Sequence, residues 1–288
     1  MPTFALLLVL LAAAAHATWN YFAKSAAGSK HFVWLYSVGS VVLYLPCVLY
    51  VLTVERPQLG PMHYLALLGT AVLHLGYSLT LQAGYRSSDL SLVYPLARGS
   101  GPLLSFLAAT VLLKERATWL SFLGLALIVT GIVLVAGFTH RKHKAPRAGI
   151  LYGLGAGVFI AAYTVNDGWA VKMLLLSPFL VDFTGSLSRS VVLAPFAWRD
   201  RARVRFELAA YFRPIAVVSV LGPLGYIFVL FAMRLAPVSH VAPARELATL
   251  LGAYLGSRVL KEKSAPQRIA GAACIVGGVI SLAFASPV

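Results

Sequence analysis

The amino-acid sequence predicts an all-α integral membrane protein with ten transmembrane helices arranged as two inverted five-helix repeats. Hydrophobic residues make up 59% of the 288 residues and charged residues only 11%, so a soluble domain would expose extensive apolar surface to water. Apolar stretches of about 20 residues, the length that crosses a bilayer, recur along the whole chain. Residues of the first half also reappear in the same order in the second half.

The first half of the chain contains five apolar stretches, which we interpret as spans. The first of them resembles a secretory signal peptide, but no Lys or Arg precedes Lys24, so the basic region of such a signal is missing. Charged turns at residues 55–57 and 114–116 end the second and fourth stretches. Stretches this long form helices in lipid, because a helix satisfies its own backbone hydrogen bonds. The predicted spans are residues 3–23, 32–53, 63–83, 91–113 and 119–138.

A basic segment at residues 141–147 connects this first repeat, residues 1–140, to a second repeat, residues 148–288. The second repeat contains five further apolar stretches, and the polar turns between them are too short to form another domain. The 24 glycines are typical of helices that pack closely in lipid. The predicted spans are residues 148–171, 178–198, 215–233, 239–260 and 269–285.

An ordered series of short matches relates the two halves. Because each repeat has an odd number of spans, the second repeat must enter the membrane in the opposite sense to the first. Inverted repeats build the substrate site of secondary transporters at their interface, near the bilayer midplane, and expose it alternately to the two sides. The matches pair residues 18–20 with 164–166, 75–77 with 224–226, 97–98 with 244–245, 113–115 with 260–262, Gly124 with Gly271, and Gly131 with Gly278.

Residues 94–97 (Tyr-Pro-Leu-Ala), residues 113–116 (Leu-Lys-Glu-Arg), Gly124 and Gly131 resemble the end of an EamA domain, and a second copy follows from residue 242. The resemblance covers nearly the whole chain. It implies a member of the drug/metabolite transporter superfamily, with ten helices in two inverted repeats. Members of that superfamily carry amino acids, nucleotide sugars, sugar phosphates or drugs.

Arg98 and Arg245 are the strongest candidates for residues that contact the substrate, because they occupy equivalent positions in the two repeats. An ionisable side chain in hydrocarbon costs several kcal/mol, about 2.5 to 3.5 on insertion scales, so it usually has a function. Arginine offers a planar fork to carboxylate or phosphonate oxygens. The alternative is that each arginine reaches the membrane interface or pairs internally, for example with Glu246.

Glycine and proline near both arginines also permit a broken helix, which frees backbone groups for a ligand. Gly99, Gly101 and Pro102 follow Arg98, and Pro243 precedes Arg245. The sequence thus permits irregular backbone at both positions.

Two further polar faces are predicted to look into the bundle, because lipid would reject them. His16, Asn20 and Lys24 share one face of the first span, and this span is similar to that of transporters found beside phosphonate-utilisation genes. His74, Ser78 and Gln82 share a face of the third span. These faces line a cavity or form hydrogen bonds between helices. The candidate substrate-binding residues are Arg98, Arg245, His16, Asn20, Tyr94, Trp19 and His74.

Proton coupling would need a titratable group on the substrate pathway, and Glu246 and His240 are candidates beside the histidines already named. The membrane-embedded glutamate of the small multidrug pumps is missing from the first span. No HExxH motif, paired acids or Cys/His cluster occurs, and Cys47 and Cys274 lie singly inside apolar stretches, so we predict no catalytic residue, metal or cofactor.

The sequence thus predicts a secondary transporter of a small polar or amphipathic metabolite, anionic or zwitterionic, such as an amino-acid-like or phosphonate-like compound. The alternatives are a non-transporting membrane scaffold or assembly subunit, or an intramembrane enzyme. The expected partners are the substrate, the lipid bilayer, and a coupling proton or counter-substrate, with the chain acting as a monomer or homodimer. The net charge of +15 lies in short runs between spans, so nucleic acid is not an expected partner.

The basic residues also predict an orientation in the cell membrane. With both termini outside, most of the 24 Lys and Arg residues fall in cytoplasmic loops, as the positive-inside rule requires. This orientation is opposite to the usual drawing of the resembled superfamily, which places the termini in the cytoplasm.

Overall fold

The computed structural model describes residues 1–25, 30–88, 90–136, 147–248 and 266–285, and the secondary structure of these residues is helical throughout. The helices are α1 (Thr3–Ser25), α2 (Lys30–Tyr50) with a π-helical continuation (Val51–Glu55), α3 (Pro61–Ser87), α4 (Leu90–Leu112), α5 (Trp119–Ala136), α6 (Arg147–Lys172), α7 (Pro178–Arg199), α8 (Arg201–Ala210), α9 (Phe212–Leu235), α10 (Val238–Ala244) and α11 (Pro266–Phe284).

The helices begin and end close to the predicted spans, with two differences. The short helix α8 lies in the polar segment between the seventh and eighth predicted spans, and only the first part of the ninth predicted span is described, as α10. Within the described residues, five helices are long and apolar enough to cross a membrane. They are Thr3–Ala23, His31–Glu55, Pro61–Ser87, Arg147–Lys172 and Phe212–Leu235, and shorter apolar helices are Leu96–Leu112, Trp119–Leu134 and Ala270–Phe284.

The outer surface of the bundle is apolar, which fits lipid as the surrounding solvent. Val111, Leu151 and Trp198 are 72%, 71% and 67% exposed. Water would penalise such a surface, whereas lipid tails accept it. Small residues fill much of the interior instead, and this lets the helices approach closely.

Helix α8 is fixed by polar contacts, which explains why a strongly basic segment forms a helix. The Asp200 carboxylate accepts a hydrogen bond from the Arg203 backbone N–H at 3.2 Å and so caps the first turn. One turn further on, Arg203 Nε donates to Glu207 Oε1 at 2.9 Å. Glu207 is buried and also lies 3.9 Å from His31 at the start of α2.

The packing of the helices repeats between the two halves. Helix α1 packs on α9, and its counterpart α6 packs on α3. Helix α2 packs on its own counterpart α7, and α5 packs on its counterpart α11. A pair of hydrogen bonds shows the same relationship, because Ser40 Oγ of α2 donates to the Ser219 carbonyl of α9 at 3.0 Å, and Ser188 Oγ of α7 donates to the Ala71 carbonyl of α3 at 3.4 Å.

Helices α5 and α11 meet at two glycine pairs and run antiparallel. A Cβ atom built on Gly124 would lie 2.8 Å from the Gly278 carbonyl oxygen, and one on Gly131 would lie 2.6 Å from the Gly271 carbonyl oxygen. Only glycine permits so close an approach of two backbones. The earlier glycine of each helix faces the later glycine of the other, so these two equivalent helices point in opposite directions.

Candidate functional site

A cavity of about 340 Å³ lies inside the bundle. Its described lining comes from seven helices and from the turn that follows α10, so residues of both halves surround it. The polar and charged residues of the lining include His16 of α1, Tyr36 of α2, His74 of α3, Arg98 of α4, Tyr163 of α6, Asp182 and Arg189 of α7, Tyr226 of α9, and Arg245 after α10.

Arg98 is held by contacts to both halves of the chain. Its Nη1 donates to Glu246 Oε1 at 3.1 Å, and its Nη2 lies 2.6 Å from His16 Nε2. Arginine can only donate, so His16 Nε2 accepts and the imidazole of His16 is neutral. Trp19, also in the lining, packs edge-on against the His16 ring with the ring centroids 4.8 Å apart. The Arg98 charge is therefore already compensated within the protein.

Arg245 occupies the position in the second repeat that is equivalent to Arg98, but its contacts differ from those of Arg98. It is 6% exposed and faces the cavity, yet its side chain forms no hydrogen bond or ion pair with any described residue. Its Nε is buried without an acceptor. A buried guanidinium without acceptors is costly, so the arrangement has an open position for an anion.

The backbone around the two arginines also differs. Helix α10 ends at Ala244, and the Glu246 N–H donates to the Pro243 carbonyl at 2.9 Å in a tight turn, so the backbone is irregular at Arg245. Helix α4 is continuous through Arg98 and residues 99–102, so the glycines and the proline there do not break the helix. Gly101 instead serves packing, because a Cβ at this position would lie 2.8 Å from Ile160 Cγ2 of α6.

His74 contacts a buried carboxylate that lies behind the cavity wall. Its Nε2 donates to Asp167 Oδ2 at 2.8 Å, and Tyr226 OH donates to the same oxygen at 2.6 Å. Thr70 Oγ1 at 2.6 Å and Asn166 Nδ2 at 3.1 Å donate to Asp167 Oδ1. The charge of Asp167, which is fully buried, is thus satisfied by four donors from three helices. The His74 ring stacks on Tyr163 with the ring centroids 4.2 Å apart.

One face of α7 adds two charged residues that the sequence analysis did not select for the site. Asp182 and Arg189 are two helical turns apart and both line the cavity, with Gly185 between them. A Cβ on Gly185 would lie 3.7 Å from His74 Cγ, so the glycine lets α7 approach His74 closely. Arg189 Nη2 donates to Ser186 Oγ at 3.1 Å. The only sequence signal for Asp182 and Arg189, and equally for Asp167, is a charge inside a span.

A second cavity of about 300 Å³ adjoins the first and shares Ser78 and Arg189 with it. Gln82 and the exposed Arg86, near the C-terminal end of α3, also line it. The polar face predicted for the third span thus passes from His74 in the first cavity through Ser78 to Gln82 in the second.

The predicted site residues separate into three groups. Five of them line the one cavity: Arg98, Arg245, His16, Trp19 and His74. The side chains of Asn20, Tyr94 and Lys24 lie outside the described residues.

The two proton-coupling candidates form the third group, and neither belongs to the described lining of the cavity. Glu246 is buried against Arg98, and His240 of α10 is buried and hydrogen-bonded to Ser121 of α5 at 2.9 Å. The part of the chain that the structure describes contains no group of three His, Cys, Asp or Glu residues that could hold a metal ion.

Comparisons with known proteins agree with this fold. The model of the EamA-like transporter family matches residues 3–137 and again residues 147–284. No curated protein matches the chain. A solved structure, described only as the crystal structure of a protein, is 15% identical, with a TM-score of 0.76 over 97% of this chain and 96% of that chain. At this level of identity the similarity shows a shared fold.

Proposed function

The chain belongs to the EamA-like transporter family, within the drug/metabolite transporter superfamily, and we propose that it is a secondary transporter of a small anionic or zwitterionic metabolite. One observation carries the proposal. Arg98 and Arg245 occupy equivalent positions in the two repeats and face the same cavity, and Arg245 has no acceptor among the described residues. A substrate anion supplies the missing acceptor.

The balance of charge in the cavity supports an anionic group on the substrate. Among the described lining residues, Arg98, Arg189 and Arg245 carry positive charge and Asp182 alone carries a carboxylate. Guanidinium groups bind carboxylate and phosphonate oxygens in a planar, bidentate geometry. The volume of about 340 Å³ is at the lower end of the range for small-molecule sites. An amino-acid-like or phosphonate-like metabolite fits both requirements.

The proposed mechanism is alternating access between two five-helix repeats, residues 1–140 and 148–288, joined by residues 141–147. The antiparallel contact of α5 with α11 supports an inverted relationship of the repeats. The site lies between the repeats, where rocking of one against the other opens it to either side. A coupling proton or a counter-substrate drives the cycle, and the chain acts as a monomer or homodimer.

We further propose that the protein lies in the cell membrane with ten spans and with both termini outside. The segment between α7 and α9, which carries Arg201, Arg203 and Arg205 on α8, then faces the cytoplasm.

The test is uptake by the full-length protein in proteoliposomes. Radiolabelled methylphosphonate, β-alanine and L-alanine serve as probes. We expect saturable uptake of at least one probe, reduced about tenfold by Arg245→Gln, because one lost charged hydrogen bond is worth about 1.5 kcal/mol or more. Arg213→Gln removes an exposed charge outside the cavity and is the matched control. Uptake that Arg245→Gln and Arg213→Gln affect equally would remove the basis for the proposal.

A further inference from the structure

Asp182 is a cavity-lining carboxylate that no described residue satisfies. It is 9% exposed, lies near the start of α7, and forms no hydrogen bond or ion pair with any described residue. The other two buried carboxylates near the cavity differ from it, because Asp167 accepts four hydrogen bonds and Glu246 accepts one from Arg98.

The basic residues nearest to Asp182 along the wall form their hydrogen bonds with other residues. Arg189, two turns away on the same helix, donates to Ser186 and forms no ion pair with a described residue. His74 donates its Nε2–H to Asp167. A charged carboxylate inside a membrane protein costs free energy unless a cation or hydrogen-bond donors compensate it. Such residues mark substrate or ion sites. Asp182 therefore has no hydrogen-bonded or ion-paired partner among the described residues.

Asp182 and Arg245 are thus opposite charges that line one cavity and do not pair with each other. Asp182 lies on α7 three residues before Gly185, which approaches His74, whereas Arg245 lies directly after α10. Aromatic rings line the same cavity, where His74 stacks on Tyr163 and Tyr163 meets Tyr226 edge-on with the ring centroids 6.1 Å apart. The cavity thus contains one carboxylate and one guanidinium, each without a described hydrogen-bond or ion-pair partner, and an aromatic wall formed by His74, Tyr163 and Tyr226.

We infer that the substrate is a dipolar molecule that carries both an ammonium and an anionic group, with Asp182 binding the ammonium and Arg245 the anion. This inference rests on the proposed function and narrows it from an anionic or zwitterionic metabolite to a zwitterionic one. The aromatic wall accommodates the carbon chain that joins the two charges, and ring faces also attract cations. An anion without an ammonium group leaves Asp182 uncompensated and binds weakly.

Paired probes test the inference on the full chain in lipid nanodiscs. Isothermal titration compares 2-aminoethylphosphonate with ethylphosphonate, and β-alanine with propionate, so that each pair differs in its ammonium group. We expect the wild-type protein to bind the amino member of at least one pair about tenfold more tightly, because a site built for a polar group rejects the analogue that lacks it. Asp182→Asn should abolish this preference by weakening only the amino member. Asp200→Asn, at the exposed end of α7, should preserve it.

The outcomes separate this inference from the proposed function. If the wild-type protein binds both members of each pair with equal affinity, the inference of a dipolar substrate is overturned. This comparison requires no variant. A loss in Asp182→Asn that is equal for both members also overturns it, and indicates a structural or proton-binding role for Asp182. Anion binding that Arg245→Gln leaves unchanged overturns the arginine site of the proposed function, while a preference that depends on Asp182 would remain. Wild-type protein that binds none of the four probes contradicts both proposals.

Discussion

Arg98 donates a hydrogen bond to Glu246 at 3.1 Å, and Glu246 is the neighbour in sequence of Arg245, the repeat-equivalent of Arg98. One pseudo-symmetric arginine thus bonds a carboxylate from the opposite repeat, and the other forms no hydrogen bond or ion pair with a described carboxylate. Two residues that sequence symmetry makes equivalent therefore have different tasks. Arg98 joins the repeats, and Arg245 remains available to a ligand.

The first prediction separates these two tasks. Arg98→Gln should lower the free energy of unfolding by about 3 kcal/mol, because Glu246 loses a buried cationic partner. Arg245→Gln should change stability by less than about 1 kcal/mol, since no described contact is lost. The double variant Arg98→Gln/Glu246→Gln should recover part of the loss, because it removes both charges. Unfolding in detergent monitored by circular dichroism measures all three, and an Arg98→Gln variant as stable as the wild-type protein would contradict the assignment.

The second prediction concerns the four donors around Asp167. Asp167→Asn preserves the shape but turns one acceptor oxygen into a donor, so it should cost about 2 to 4 kcal/mol of unfolding free energy. Tyr226→Phe removes only one of the four donors, at 2.6 Å, and should cost about 1 to 2 kcal/mol. The same unfolding assay ranks the two variants. A larger loss for Tyr226→Phe than for Asp167→Asn would show that the carboxylate is not the centre of this network.

The third prediction tests the contact between α5 and α11 with two adjacent glycines. A Cβ on Gly278 would lie 2.6 Å from the Gly124 carbonyl oxygen, whereas the nearest contact of a Cβ on Gly277 is Leu127 Cδ1 at 3.9 Å. Gly278→Ala should therefore cost about 1 to 3 kcal/mol by overpacking, and Gly277→Ala should be tolerated. Thermal unfolding of the two variants under identical conditions is the measurement. Equal melting temperatures would mean that these helices do not meet at the glycines.

The sequence was sufficient to predict the helical membrane fold and the internal repeat. The fold follows from local hydropathy, and the repeat follows from motifs that occur in both halves. Arg98 and Arg245 could be found in the same way, since charge inside a span is rare. Asp182 was not selected, because a single charge near a helix start gives no indication of which helix faces it. His240 was a candidate because it is titratable, and the structure places it outside the described cavity lining, in contact with Ser121 of α5.

The partners of each charge could not be predicted, for a physical reason. In lipid, nearly every helix face is apolar, so periodicity does not identify which faces meet. The neighbours of Arg98, Asp167 and Asp182 depend on how α3, α4, α6 and α7 pack, and sequence alone does not specify this packing. The same limit applies to the backbone, where Gly99 and Gly101 suggested a break in α4 but Gly101 accommodates Ile160 instead.

The fourth prediction concerns orientation. In a background lacking both native cysteines (Cys47→Ala, Cys274→Ala), Arg205→Cys on α8 and Gln58→Cys between α2 and α3 present thiols at exposed positions near opposite ends of the bundle. With the termini outside, a membrane-impermeant maleimide added to intact cells should label the position 58 variant and not the position 205 variant. Permeabilised cells, in which both should react, provide the control. The reverse pattern in intact cells would place both termini in the cytoplasm.

The last prediction links a residue outside the cavity to the position of Arg245. The Glu115 carboxylate accepts hydrogen bonds from the Val238 and Ser239 backbone N–H groups, at 2.7 and 2.8 Å, and from Lys172 Nζ at 3.1 Å. It therefore caps the first turn of α10, the helix that leads to Arg245, and a negative charge there also favours the helix dipole.

Glu115→Gln keeps the size of this side chain but leaves one acceptor oxygen and no charge, so it should lower the unfolding free energy by about 1 to 2 kcal/mol. Because α10 is only seven residues long, loosening its start should also weaken binding of a probe with an anionic group, such as 2-aminoethylphosphonate, several-fold, as Arg245 becomes less well positioned. Glu55→Gln removes an equivalent charge from an exposed position and should change neither quantity. A Glu115→Gln variant that loses stability but binds the probe with wild-type affinity would show that the cap stabilises α10 without positioning Arg245.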